Sequence, residues 1–174
     1  MLIGVVGPSG AGKDTLLAGA RAALAGDRRF RFVQRAITRP AGAGGEDHRP
    51  LDRAGFEAER IAGRFALWWE AHGLLYGIPT DIDPAQVTIA NLSRTVLAEA
   101  DHRFPLLVLE ITASPDLLAA RLAARGRETP VEVAERLARQ KPLPRGLRVV
   151  QVMNDGPVEQ GIARVLAALR KATD

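Results

Sequence analysis

The 174-residue chain has no cysteine, which excludes disulfides and thiolate metal sites. Its three histidines, His48, His72 and His102, stand far apart, so none of the short spacings that gather ligands around zinc is present. Aromatic residues make up only 5% of the chain. With basic residues scattered and not gathered into a tail, that is poor material for stacking bases, and no nucleic-acid partner is expected. No apolar run approaches the length of a membrane span, and the opening Met-Leu-Ile-Gly-Val-Val lacks a basic leader. A cytoplasmic protein with no membrane partner is the expectation. Oligomeric state is left open, a homodimer included.

Lysine is also scarce. Of 24 basic residues only Lys13, Lys141 and Lys171 are lysines, and the formal net charge is +4. Arginine is the side chain that grips phosphates through paired N–H donors, so the bias suits small phosphorylated ligands. Hydrophobic content of 47% is enough for the core of a single domain.

The most informative segment follows the first apolar run, Leu2 to Val6. Gly7-Pro8-Ser9-Gly10-Ala11-Gly12-Lys13-Asp14-Thr15 has the spacing of a phosphate-binding loop. Successive backbone N–H groups turn inward around a phosphate, and the lysine ammonium reaches the outer phosphates. A buried-type strand before the loop and a helical pattern after it (Leu17, Ala20, Leu24) place these donors at a helix N-terminus. These nine residues are therefore assigned to the phosphates of a nucleoside triphosphate, with Lys13 as the charge that reaches the outer phosphates. The strict motif has Ser or Thr after the lysine, to hold Mg²⁺; here Asp14 intervenes and the hydroxyl comes at Thr15. Thr15 and Asp14 are the candidate metal ligands, Asp14 having the alternative role of favouring the helix N-terminus.

Apolar runs alternate with helical patterns, the signature of an α/β protein with a parallel sheet covered by helices. Strands are expected at 2–6, 32–36, 87–91, 106–112 and 148–153, and helices at 14–25, 94–101, 115–124 and 158–171. Two segments break the alternation. Residues 38–79 carry a Gly-rich loop (Gly42, Gly44, Gly45), a short helix at 56–61 and two strand-like runs, 64–69 and 74–78, joined tightly enough for an antiparallel hairpin. Of Trp68 and Trp69, adjacent on a strand, one should face the core. Residues 125–140 read as a mobile helical flap, ended by Pro142 and Pro144. Arg121, Arg125, Arg127, Arg136 and Arg139 supply the flap with guanidinium groups; Arg125 and Arg136 are assigned to the transferring phosphate. For Arg121 and Arg139, surface pairing is an equal alternative.

These residues resemble a known family. The loop at 7–13, Thr38-Arg39, Gly45-Glu46, Glu70-x-His72-Gly73-x-x-Tyr76-Gly77, the run Arg121 to Glu128, Arg136-Leu137 and Asn154-Asp155 together are similar to the guanylate-kinase fold. The resemblance implies one P-loop kinase domain: a core (1–37, 80–124 and 141–174), an acceptor-binding insertion (38–79) and a lid (125–140). It also implies ATP on the loop, with Arg121 and Asn154 on the nucleotide side, and Arg39 and Tyr76 on the acceptor phosphate.

The departures point to a narrower family. The second arginine after Arg39 is replaced within Ala41-Gly42-Ala43, Ile78 follows Gly77, and Asn91-Leu92-Ser93-Arg94 stands where guanylate kinases have Asp-x-Asp. With Gly-Lys-Asp-Thr, Arg35-x-Ile37-Thr38-Arg39-Pro40 and Ala71-His72-Gly73-x-x-Tyr76-Gly77-Ile78-Pro79, the chain resembles the ribose 1,5-bisphosphate phosphokinases. That resemblance implies ATP- and Mg²⁺-dependent formation of 5-phosphoribosyl 1-diphosphate in phosphonate breakdown. An acceptor with two phosphates and no base needs cations and hydroxyls and no purine slot. Arg35, Arg39, His48, Arg49, Tyr76, Ser93 and Arg94 supply such a set. Glu70 joins it as the residue type with which guanylate kinases read guanine, which keeps guanylate as the alternative acceptor; a non-catalytic guanylate-kinase-like binding module is the alternative outside enzymes.

Overall fold

The computed structural model of the protein describes residues 1–42, 46–124 and 142–173. The expected flap at 125–140, with Arg125, Arg127, Arg136 and Arg139, lies outside the described residues, as do Gly44 and Gly45. Among the described residues strand pairing defines two sheets. In chain order the strands are β1 (Leu2–Val6), β2 (Phe30–Phe32), β3 (Ala36–Ile37), β4 (Arg49–Pro50), β5 (Phe65–Ala71), β6 (Leu74–Pro79), β7 (Val87–Asn91), β8 (Leu106–Thr112) and β9 (Val149–Met153). The helices are α1 (Lys13–Ala23), α2 (Arg53–Ile61), α3 (Leu97–Arg103), α4 (Pro115–Ala124) and α5 (Val158–Lys171). The larger sheet runs β2-β7-β1-β8-β9, with β2–β7 and β8–β9 parallel; the smaller runs β4-β3-β6-β5. Among the described residues no helix is long and apolar enough to cross a membrane.

The chain divides into two compact units. The first comprises Met1–Gly4 and Asp27–Leu106. Here the single strand expected at 32–36 is two strands. Phe30–Phe32 pairs with β7, whereas Ala36 and Ile37 pair with Gly77 and Tyr76 of β6 and with Arg49 and Pro50 of β4. Residues 33–35 carry the chain from one sheet to the other, a change of pairing partner that leaves no trace in hydrophobic periodicity. The expected hairpin is β5–β6, closed by a two-residue turn in which His72 and Gly73 both have positive φ, 53° and 73°. That is the backbone a type I′ turn requires. The helix expected at 94–101 is a 3₁₀ turn at Arg94–Val96, capped by the Ser93 hydroxyl, followed by α3.

In the same unit, α2 starts where the Asp52 carboxylate accepts from Gly55 N at 2.6 Å. It buries Phe56 against Phe65, with ring centroids 4.5 Å apart, in a cluster with Ala36, Leu75 and Leu51. Gly77 makes this packing possible, because a Cβ there would come within 2.6 Å of the Phe65 ring.

The second unit comprises Val5–Gly26 and Leu107–Asp174. Here α1 and α5 pack closely enough that a Cβ on Gly19 would lie 2.2 Å from Ile162 Cδ1. The periodicity of α5 is as expected: Val165 and Leu169 are buried, and Glu159, Arg164 and Arg170 face out.

Candidate functional site

The phosphate loop occupies the turn from β1 to α1 in the second unit. Its shape depends on glycines at positive φ: Gly7 (154°), Gly10 (86°) and Gly12 (82°). At Gly7 the constraint is also one of space, since a Cβ would fall 1.9 Å from the carbonyl oxygen of Ile111 on β8. Lys13 Nζ donates to the carbonyl oxygens of Gly7 (2.8 Å) and Pro8 (2.9 Å), so the ammonium is folded into the loop it serves. Asp14 and Thr15 are exposed on the first turn of α1. The free N–H groups of a helix start favour anions there.

Two residues distant in sequence brace the loop. Asn154, just beyond β9 and 5% exposed, donates from Nδ2 to the Ala11 carbonyl oxygen at 2.8 Å. It also takes the space beside Gly12, where a Cβ would lie 2.6 Å from Nδ2. Arg121 on α4 donates to the Asn154 carbonyl at 3.0 Å and to the Gly10 carbonyl at 3.4 Å. Both residues were placed on the nucleotide side by resemblance. Asn154 bonds the loop backbone at Ala11, and Arg121 bonds both Gly10 and Asn154, which makes the pair supports of the loop's shape.

The acceptor candidates lie in the first unit. Arg35, just before β3, stands over the rings of Tyr76 (5.0 Å) and Trp69 (5.6 Å), which stack on one another at 5.4 Å and 5°. Trp69 is the buried member of the tryptophan pair and Trp68 the exposed one. The Arg35 guanidinium pairs with the Glu46 carboxylate, whose other oxygen accepts from Asn91 Nδ2 at 3.4 Å. Arg39 Nη2 lies 3.2 Å from His48 Nδ1 and donates to the Glu46 carbonyl at 3.5 Å. His48 Nε2 donates to the Arg39 carbonyl at 3.0 Å, so this buried imidazole stitches residues 46–48 to residue 39. A recess of about 420 Å³, lined by Thr38, Arg39, Pro40, Pro50, Leu51 and Asp52, opens beside Arg39.

Of the four other candidates, Glu70 and Arg49 are engaged on the α2 side, and Ser93 and Arg94 lie on the 3₁₀ turn. In the β5–β6 register Glu70 is opposite Leu75, and Trp69 opposite Tyr76. Successive strand residues point to opposite faces, so Glu70 is on the α2 side of the sheet, away from Tyr76 and Arg35. There it lies 3.8 Å from Arg53. Arg49 is likewise engaged with α2, in a fork to both Glu59 carboxylate oxygens at 2.6 Å each. This hydrogen bonding raises the Arg49 pKa and holds the Glu59 carboxyl below its ordinary value. The Ser93 hydroxyl accepts from Thr95 N and Oγ1 at the 3₁₀ turn, a capping task. Arg94 follows it on that turn. Sequence reasoning assigned no role to Glu46 and Asn91, although both stood in the quoted motifs. Their only signal was position within those motifs.

No family model matches the chain. It is 45% identical over 175 residues to the ribose 1,5-bisphosphate phosphokinase PhnN of Rhizobium etli, covering 97% of this chain and 89% of that protein. Identity to the PhnN protein of Ruegeria sp. is 48%, covering 97% and 91%. It is also 44% identical to the bifunctional ribose 1,5-bisphosphokinase-thymidine phosphorylase of Cupriavidus pinatubonensis, of which it spans 29%. Among solved structures, guanylate kinase from Anaplasma phagocytophilum has a TM-score of 0.64 at 17% identity, covering 99% of this chain and 85% of that one. That likeness establishes the guanylate-kinase-like P-loop fold expected from the motifs. With identity near one half along almost its whole length, the chain belongs to the ribose 1,5-bisphosphate phosphokinase family.

Proposed function

We propose that this protein transfers the γ-phosphoryl group of ATP to the 1-phosphate of ribose 1,5-bisphosphate, giving 5-phosphoribosyl 1-diphosphate and ADP. Chain-long identity to ribose 1,5-bisphosphate phosphokinases carries the reading. The intact loop supports its nucleotide half. Lys13 and the N–H groups of residues 10–15 cradle the ATP phosphates, while Asn154 and Arg121 hold the loop in shape. Arg35, Arg39 and Tyr76 support the acceptor half, as a base-free pocket of cations and a hydroxyl. The attacking phosphate oxygen is already ionised, so no strong general base is needed. Positioning and charge neutralisation supply most of the rate. Arg125 and Arg136 are proposed to stabilise the charge that develops on the transferring group.

Mg²⁺ fits the donors present. Among the described residues no group of three or more His, Cys, Asp or Glu forms a cage. Magnesium typically takes one or two protein oxygens beside the nucleotide phosphates. Asp14 and Thr15, exposed beside the loop, are those oxygens in this reading, and the ion supplies neutralisation of phosphate charge. The protein is proposed to act in the cytoplasm on small phosphorylated molecules without nucleic acid.

The test is a ³¹P NMR assay with ATP and each acceptor. A diphosphate doublet on the sugar is expected. Rapid formation of GDP from GMP with no sugar diphosphate would transfer the assignment to guanylate kinase. Lys13→Ala should lower turnover by about 10²-fold or more, because it removes a charge aimed at the transferring group.

A further inference from the structure

Glu46 is an odd residue to find among Arg35, Arg39 and His48. A carboxylate repels a phosphate dianion, so a pocket built only for phosphates gains nothing from one there. Pairing with Arg35 explains part of its placement. It does not explain Asn91, whose Nδ2 donates to Oε2 of the same carboxylate at 3.4 Å. Carboxylate and carboxamide side by side offer acceptor oxygens and an amide within one hydrogen-bond length, the set that matches two neighbouring hydroxyl groups. Both side chains are only partly buried, Glu46 being 18% exposed. Asn91 is the last residue of β7, and in open α/β sheets ligands bind beyond the carboxyl ends of strands.

We propose that Glu46, with Asn91 beside it, hydrogen-bonds the ring hydroxyls of the acceptor sugar and so determines a preference for ribose over deoxyribose. This rests on ribose 1,5-bisphosphate being the acceptor. Arg35 and Arg39 then serve the phosphates, and Glu46 distinguishes the sugar between them. Hydroxyls bound by charged, partly desolvated partners discriminate strongly, because removing the hydroxyl leaves the protein group unpaired.

The experiment measures kcat/KM for ribose 1,5-bisphosphate and its 2-deoxy analogue with the wild type, Glu46→Ala and Asn91→Ala, with thermal melts of each. The wild type should prefer the ribose compound by about 10²-fold, and both variants should reduce that ratio to about 10-fold or less. If Glu46→Ala lacks a cooperative melt, Asn91→Ala decides, since it keeps the Glu46–Arg35 pair. Equal losses on both sugars, with the ratio intact, would mean that Glu46 only holds Arg35 and would overturn the inference alone. A wild type that does not discriminate would overturn it too. A wild type inactive on ribose 1,5-bisphosphate would overturn the proposed function and this inference with it.

Discussion

Asn154 reaches back 143 positions to donate its amide N–H to the Ala11 carbonyl oxygen, tying the end of β9 to the crest of the phosphate loop. The bond is buried, so Asn154→Ala strands the Ala11 carbonyl, at a cost of about 1–3 kcal/mol. A lower melting temperature and an ATP KM raised about tenfold are expected from calorimetry and steady-state kinetics. An unchanged ATP KM would show that the loop keeps its shape without this brace.

Asp14 stands where the strict motif has a metal-binding hydroxyl. If its carboxylate shares in holding Mg²⁺, Asp14→Ser should shift the Mg²⁺ concentration for half-maximal rate by several-fold, at about unchanged acceptor KM. Rate measured against free Mg²⁺ at fixed ATP reads this directly. An unaltered Mg²⁺ curve would reduce Asp14 to a favourable charge at a helix start, contributing about 0.3–1 kcal/mol.

Arg39 is held by His48 and the Glu46 carbonyl, and its buried Nε lacks a hydrogen-bond partner among the described residues. A pre-positioned guanidinium of this kind suits phosphate binding. Arg39→Ala should raise acceptor KM by about 10-fold or more and leave ATP KM nearly unchanged. If the acceptor KM did not move, the acceptor phosphate would have to be placed elsewhere.

The Arg49–Glu59 fork predicts a pH effect. Hydrogen bonding to Arg49 lowers the Glu59 pKa below 4.5, so the folded state favours the ionised carboxylate. Its stabilisation is fully present above the unfolded value and is lost as pH falls through the lower folded value. Arg49 is 44% exposed, so solvent screening limits the effect to about 0.5–1 kcal/mol. Glu59→Gln should lower stability by that amount at pH 7 and flatten the acid limb below about pH 4.5. Urea denaturation across pH 3–7 would show it, and parallel wild-type and variant curves would refute it.

Much of the fold was legible in the sequence because its elements are written in local spacing. Apolar runs marked β1, β7 and β8, helical periodicity marked α4 and α5, and glycine spacing with Lys13 marked the phosphate loop. Those signals depend on φ/ψ preferences and on which residues share a face of one element, and neighbours in the chain decide both. The strand expected at 32–36 divides in the structure because the chain changes pairing partner midway, which nothing local records.

The identity of the contacts was decided by tertiary structure. Glu70 and Tyr76 belong to one motif, but the β5–β6 register, pairing Glu70 with Leu75 and Trp69 with Tyr76, puts them on opposite faces. Arg49 carries the same charge as Arg35, yet strand placement gives it to Glu59 and gives Arg35 to Glu46. Side-chain partners across a sheet follow from register and strand order, and a slip of one residue reverses every face. The residue types alone therefore determined that this protein handles phosphates, and the packing of its strands decided which side chains are available for the task.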